Sequence, residues 1–516
     1  LETCPTLSNK IALGKYVDDL DGHFAFVLSS PNGTLAAVDP IASYPLFYDI
    51  GFMRISDRAV SAASPDRVLN SDQLQAFAMG GFTVGCGSLY DGVRQLLPGE
   101  LLSVDPNGEA ALSQYGDWLP GNDKIDEREP DLSAEQGYRS QLASLTLSLL
   151  ERLIGSVGDR TIVVPLSAGM DSRLIVSGLH QLGAQRVKCF SYGKIGNHES
   201  EAGRDIAEHL GYEWRFVPYS VESQRNFFSS QIWNEFMERA DTGAAMPFQQ
   251  DLPALVALKR DGWLPEDSVV VNGQSGDFIA GNHITPGLRS PEVGLETDAD
   301  AVWPGLFREI LKKHGSMWRS LLTPENEREL ERLYRADAAS EPSTQRAYGR
   351  YERLEFRNRQ SKYVIGGQRV YDFLDLDWRM PLWDRGYLNF WQDAPLWAKS
   401  GRFLFATTMS SENWGGVWGD DWSYPQTVVP SALRLGRLAL RVPFALLGRH
   451  RWHDFERRFL AYEMDTLCNY AIESRGTVWW DRQGHRNALA WHLRRYLEGK
   501  NVELKGSVAS PIVGQA

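Results

Sequence analysis

Asp171 and Asp277 stand in the same kind of setting, and that setting could do chemistry. In the first, the β-branched run Thr161 to Val164 leads into Ser167, Ala168 and Gly169, and then Asp171 and Ser172 follow. In the second, Val269 to Val271 leads through Asn272, Gly273, Gln274, Ser275 and Gly276 to Asp277. Strand, small-residue loop and helix start together make an anion cradle, because free backbone N–H groups and the positive end of the helix dipole converge on one spot. An acid inside such a cradle needs a cation with the anion, and Mg²⁺ carried by a polyphosphate supplies it. Two aspartates from separate strand ends can share one such ion. No Lys-Ser or Lys-Thr pair follows Gly169, so the loop is not a Walker A loop. The blander reading is a pair of strand-to-helix turns, each with an acid at the helix start.

Helical apolar spacing at Leu174, Ile175, Leu179 and Leu182, closed by Gly183, predicts the helix behind the first cradle. Val187 to Tyr192 reads as a second buried strand before Gly193, and Glu199 and Ser200 open a helix that ends near Leu210 and Gly211. From about residue 135 onward, helix alternates with buried strand, as in a parallel sheet covered by helices. Residues 22–115 read instead as short strands, with Pro31-Asn32-Gly33 as a hairpin-type turn. The polar stretch around Pro120, Gly121 and Pro130 reads as a linker. The expected organisation is a β-rich domain over 1–116, a linker over 117–134 and an α/β domain over 135–516.

At 516 residues, two domains are the default. A 43% hydrophobic and 23% charged composition is that of a globular chain, and no apolar run approaches the length of a membrane span. Residue 1 is Leu, and no signal-peptide pattern opens the sequence given. The four widely spaced cysteines, Cys4, Cys86, Cys189 and Cys468, argue against a zinc site or a disulfide framework and suit a reducing cytosol. A net charge of −12 argues against a nucleic-acid surface covering the protein.

Ser-Ala-Gly-Met-Asp-Ser at 167–172 resembles the Ser-Gly-Gly-x-Asp-Ser signature of the ATP pyrophosphatase superfamily, with Ala168 in place of the first glycine. Gly22-His23-Phe24-Ala25-Phe26, Asp39-Pro40-Ile41 with Pro45-Leu46-Phe47-Tyr48, and Leu96 to Glu100 look like the later part of the glutaminase domain of asparagine synthetases. Together these matches make the chain asparagine synthetase-like, in a diverged branch. The resemblance implies an Ntn-hydrolase-like β-rich domain followed by an adenine nucleotide α-hydrolase-like α/β/α synthetase domain. It also implies ATP and Mg²⁺. Cys4 is not terminal, so either the sequence given begins late in that domain or the domain is degenerate; the second is the expectation, since Val38 stands where the family has an arginine.

Within this resemblance, ATP and pyrophosphate would be met by Leu166, Ser167, Ala168, Gly169, Asp171 and Ser172, by Ser191, Tyr192 and Gly193, and by Gly273, Gln274, Ser275 and Gly276. Asp171 and Asp277 would hold the metal, while Phe278 replaces a family glutamate. Asp377 to Asp384 resembles the box Glu-Ala-Arg-Val-Pro-Phe-Leu-Asp. Asp377 thereby inherits candidacy for activating the attacking amine, with Arg379 beside it. Lys399 is matched to a lysine that stabilises phosphate or developing charge, and Arg402 competes for that role. Arg359 and Lys362 lie further upstream of the box than is usual in the family.

Two other segments have weaker readings. Asn413 to Trp422, mixing aromatics, glycines and acids, could stack on a sugar or form a packed surface loop. Residues 434–451 carry five arginines and no acid; they read as a contact with an anionic membrane or a phosphorylated substrate, or as an arginine-edged helix packed on its own domain. The expected activity is an ATP-dependent, AMP-forming ligase that adenylates a carboxylate and transfers it to ammonia or an amine. The first-ranked substrate is a sugar uronic acid of a surface-glycan pathway. Macrolactam or β-lactam closure, asparagine synthesis and a non-catalytic scaffold are the alternatives. The expected location is cytoplasmic or membrane-peripheral, and the oligomeric state is not legible.

Overall fold

The computed structural model describes residues 15–511 apart from 50, 52, 129, 340–344, 427 and 445–447, so Cys4 lies outside the described residues. Its centre is a five-stranded parallel sheet: β8 (Ile162–Pro165), β9 (Val187–Gly193), β10 (Glu213–Pro218), β11 (Val269–Val271) and β12 (Asp377–Arg379). Runs such as Ile-Val-Val and Val-Val-Val suit strands covered on both faces, and both runs are buried. The order is β10-β9-β8-β11-β12, so the chain winds one way from β8 and then returns on its other side. The reversal opens a crevice beyond the carboxyl ends of β8 and β11, the place where α/β sheets bind ligands. The α/β class expected from the sequence is therefore the one observed.

The N-terminal region builds two antiparallel sheets. One has the order β1-β2-β6-β7, from β1 (Ala25–Ser30), β2 (Gly33–Val38), β6 (Glu100–Val104) and β7 (Ala110–Gln114). The other joins β3 (Phe47–Asp49), β4 (Arg54–Ser56) and β5 (Arg94–Gln95). Pro31-Asn32-Gly33 does turn the first hairpin, with Ser30 opposite Gly33. Buried Asp39 explains the Asp-Pro-Ile segment structurally: its carboxylate accepts from the N–H groups of Phe24, Ile41 and Ser43.

Residues 22–115 are not the strands and turns throughout that the sequence predicts. Ser71–Gly80 is a helix, started by Asn70, whose side chain accepts from Gln73 N–H at 2.9 Å. Its Phe77 stacks on Tyr496 near the other end of the chain. This helix and its neighbours share one core with Trp303, Tyr351 and Trp491, so the N-terminal region is packed into the rest rather than appended to it.

Leu132–Val157 is a 26-residue helix, capped by Asp131 accepting from Ala134 N–H. The irregular stretch before it is strapped down: Trp118 is buried and donates to Leu388 O at 3.2 Å, and Asp117 pairs with Arg353 at 2.8 Å. Ala347–Glu355 continues through a widened i→i+5 turn over Phe356–Val364, a helix defect frequent at functional sites. None of the described helices is long and apolar enough to cross a membrane.

Candidate active site

The two acid loops interlock at the crevice. A Cβ on Gly273 would stand 2.6 Å from the Asp171 carbonyl carbon, and one on Gly276 would stand 2.8 Å from Asp171 Cγ. Only glycine permits that approach, and Ser275 between them takes a left-handed φ of 66°. The result is direct contact between the acids' loops: Asp277 N–H donates to Asp171 Oδ2 at 2.9 Å. Ser275 is held by Gln360 at 2.8 Å, and Gln274 by Gln368 at 2.6 Å.

Each acid has a cationic neighbour. Arg402 pairs with Asp171 Oδ1 while its guanidinium lies over the Phe405 ring at 4.1 Å. Burial raises the Asp171 carboxyl above its ordinary value, against the pull of Arg402. Asp277 is also penalised by burial, yet the hydrogen bond and charge of His283 bring it down to about 2. His283 Nε2 is 3.2 Å from Asp277 Oδ2, and its Nδ1 is 2.5 Å from Glu355 Oε1. Burial opposes charge on His283, but Glu355 raises it to about 9. Glu355, buried on the helix before the widened turn, also meets Lys313 at 3.4 Å and His314 at 3.2 Å. A chain of charges thus ties the second acid loop to the protein interior.

The first loop is organised around its helix start. Gly169 caps the helix Met170–Gln181 without a side-chain bond, which leaves its first N–H groups turned to the crevice. Ser172 Oγ is 3.2 Å from Ser167 N, and Glu199 accepts from Ala168 N–H at 2.8 Å. Glu199 therefore holds the loop. Ser191 is buried and committed to Leu166 O at 2.7 Å, while Leu166 itself is in the core, so neither side chain reaches the crevice. Gly193 ends β9 at a φ of 121°, and Tyr192 turns its side to the opening.

The crevice encloses about 340 Å³ between Ser167, Gly169, Asp171, Ser172, Tyr192 and Gly273 to Ser275 on one side of its wall and Phe248 to Asp251, Tyr371 and Asn469 on another. That second stretch was not anticipated. Gln249 Oε1, Gln250 Nε2 and Asp251 Oδ1 are buried and have no hydrogen-bond partner among the described residues. Asp251 is 1% exposed, and burial pushes its carboxyl up to about 7 despite the Tyr371 hydroxyl at 3.2 Å. Gln250 holds a left-handed φ of 36°, a strain that the fold must impose. In the sequence, Asp251 before Leu252-Pro253 looks like a routine helix cap, but its side chain caps nothing.

Five further candidates do not come to the crevice. Lys399 is fully buried, donating to Glu352 Oε2 at 2.6 Å beside the Trp118 ring, so it is a core ion pair away from the crevice, whereas Arg402 lies beside Asp171. Asp377 opens β12 opposite Val269, at the amino edge of the sheet. Three residues of strand rise, about 10 Å, separate it from the crevice level. Its side chain is 58% exposed and bound to Arg160 at 2.5 Å, so it cannot deprotonate an amine there. Arg379 opens on separate cavities with His23. Lys362 is spent on Thr83 O and Gly85 O at 2.8 and 2.6 Å, and Arg359 lies 3.8 Å from Glu355. The 413–422 loop packs inward, with Trp414 and Trp418 buried and Trp418 donating to Ser177 at 3.1 Å, so these rings offer no sugar platform.

The donor set suits a hard divalent ion arriving with a nucleotide. Asp171 and Asp277 each keep unused oxygen lone pairs, and Mg²⁺ is commonly bound by one or two carboxylates together with phosphates and water. Among the described residues no cluster of three or more ligating side chains occurs, so two carboxylates are what this site offers.

Residues 147–399 match the model of the family described as asparagine synthase. The matched span contains both acid loops, the Gln249 to Asp251 wall and the Asp377 box. No curated protein matches the chain.

Proposed function

From the premise that the domain matched over residues 147–399 belongs to the asparagine synthase family, and so carries ATP-dependent amide-forming ligase chemistry, we propose that the protein amidates a sugar uronic acid. The reaction is AMP- and pyrophosphate-forming, and the product belongs to a surface glycan. The observation that supports the substrate reading is the polar wall of Gln249, Gln250 and Asp251, whose side chains are each held at one atom, by Asn469 or Tyr371, and keep a second polar atom without a partner among the described residues. A wall rich in amide and carboxyl groups suits a polyhydroxylated ring, whose hydroxyls both donate and accept.

The residues divide the work as follows. The N–H groups at the start of helix Met170–Gln181 face the phosphates. Asp171 and Asp277 would hold Mg²⁺, which offsets the charge of the leaving pyrophosphate when bound. Arg402 lends positive charge beside Asp171. The substrate carboxylate attacks the α-phosphorus, pyrophosphate leaves, and the acyl adenylate is then open to an amine. The amine nitrogen adds to the acyl carbon, AMP departs, and the nitrogen's extra proton passes to Asp251, the crevice carboxyl whose affinity for a proton lies near neutrality.

The N-terminal sheets serve as packing in this reading, because Lys362 and Arg369 pin backbone oxygens of Thr83, Gly85 and Ser43 into the synthetase domain. The test is pyrophosphate release with ATP, Mg²⁺, ammonium and a panel of carboxylates. Free and nucleotide-linked uronic acids should support release and amide product, and aspartate should not. Turnover of aspartate to asparagine, or product formed without any added amine, would overturn the substrate reading in favour of asparagine synthesis or ring closure.

A further inference from the structure

The helix Ser431–Arg441 is exposed along nearly its whole length although most of its residues are apolar. Leu435 is 68% exposed, Leu438 51% and Val442 71%. At roughly 100° per residue these three fall within an arc of about 60°, and Arg434, Arg437 and Arg441 fill the adjoining arc. The helix is tied to the body through Arg437, which pairs with Glu456. That leaves Arg434 and Arg441 flanking the leucines. Large apolar side chains are exposed singly elsewhere, as at Leu132 and Ile195, but this helix gathers several on one water-facing surface.

The surroundings extend the pattern. Residues 431–451 contain no acid and five arginines, in a chain whose net charge is −12. Beyond the helix, rings pack in series from Phe444 to Trp452 at 5.4 Å, through Phe455 to Phe459 at 5.1 Å, and on to Trp479 at 6.4 Å. The next residue, Trp480, is 74% exposed. Arginines beside leucines, with an exposed tryptophan on a rigid aromatic base, are what a helix lying in a lipid headgroup layer requires: apolar side chains reach the acyl boundary and guanidinium groups meet phosphate.

We propose that this segment docks the protein on an anionic phospholipid bilayer, with the helix Ser431–Arg441 lying in the plane of the interface. The proposal stands apart from the substrate reading, since none of these residues lines the crevice. The charge argument selects the occupant: a cation stripe on an acidic protein matches anionic lipid, whereas a second copy would bring arginine against arginine.

The test is co-sedimentation of the full chain with vesicles of phosphatidylcholine alone and of phosphatidylcholine mixed with phosphatidylglycerol. Binding to the mixed vesicles should be at least about tenfold stronger and should weaken as salt rises. The double variant Leu435→Glu/Leu438→Glu, and separately Arg434→Glu/Arg441→Glu, should each lose that binding while keeping far-ultraviolet circular dichroism and pyrophosphate exchange. Equal binding to both vesicle types, or binding unchanged in either variant, would overturn it. So would a concentration-dependent dimer that the leucine variant dissolves, because the face would then belong to a second copy.

Discussion

The two edges of the parallel sheet carry the same residue types and put them to different uses. At the carboxyl edge, Asp171 and Asp277 are partly buried, touch through a shared hydrogen bond, and have Arg402 and His283 as cationic neighbours. At the amino edge, Asp377 pairs with Arg160 in the open. An aspartate–arginine pair is therefore no evidence of a site in itself. Strand direction decides, because helix starts and the topological switch lie at one edge only.

The largest expected effect tests that contrast. Asp171→Asn and Asp277→Asn should each lower substrate-dependent pyrophosphate release by about a thousandfold, the scale of losing one preorganised electrostatic contact. Asp377→Asn should stay within about threefold of the parent, as an exposed pair outside the crevice should. A collapse of activity in the Asp377 variant, with its melting temperature unchanged, would show that the amino edge takes part in the chemistry.

Asp251 sharpens the comparison within the crevice. Asp251→Asn should keep pyrophosphate–ATP exchange, because adenylation precedes amine attack, and should lose amide product by about a hundredfold. In the parent, amide formation should rise with pH and level off above about 7, since the base works deprotonated. Stability carries the opposite sign. Burial raises the folded-state value above that of the unfolded chain, so the native protein holds the extra proton between the ordinary carboxylate range and about 7, and stability from this group is lost as pH climbs through that window. Melting curves from pH 5 to pH 8 should therefore fall more steeply for the parent than for Asp251→Asn, by about 3 kcal/mol at most. Parallel pH slopes would mean that Asp251 is not held protonated.

Arg402 and Lys399 divide the roles that the sequence left between them. Arg402→Met should weaken pyrophosphate exchange by about tenfold, since it removes a charge beside the phosphate-facing acid. Lys399→Met should act on stability instead: it strands Glu352 in the core, where breaking a buried pair costs about 3–5 kcal/mol. If Lys399→Met folded normally and lost exchange selectively, its assignment to the core would be wrong.

Much of the fold was readable because it rests on local pattern. The apolar runs of β8 and β11, the spacing from Leu174 to Leu182 and the small residues of both acid loops each announce their element within a dozen positions. Ser71–Gly80 was missed although Asn70 and Ser71 signal a helix start, because the neighbouring turn residues dominated the reading. The crevice wall was illegible for a different reason. Asp251, Asn272 and Tyr371 are distant in sequence and meet only through the Tyr371 hydroxyl, at 3.2 Å from Asp251 and from Asn272. Glu355 is a similar case: its neighbours His283 and His314 come from elsewhere in the chain, and a glutamate among arginines in a charged helix gives no hint of burial. Asp377 failed in the reverse direction. Its box is recognisable as a string, but a string does not tell which edge of the sheet its first residue occupies.

The smallest effect closes the comparison at the amino edge. Asp377 and Arg160 form a geometrically good bond, yet their side chains are 58% and 31% exposed. Water competes for both groups there, and ordering the long Arg160 side chain costs entropy, so such pairs contribute about 0.2–1 kcal/mol. Arg160 also donates to Val157 O at 3.1 Å, a contact independent of the aspartate. Asp377→Ala should therefore lower stability by less than about 1 kcal/mol, and the double variant Arg160→Ala/Asp377→Ala should fall short of the sum of the singles by no more than about 1 kcal/mol. Chemical denaturation of the four proteins, repeated at high salt, measures this. A coupling of several kcal/mol that survives salt would mean that the pair is shielded from solvent, and the distinction drawn between the two edges would lose its electrostatic basis.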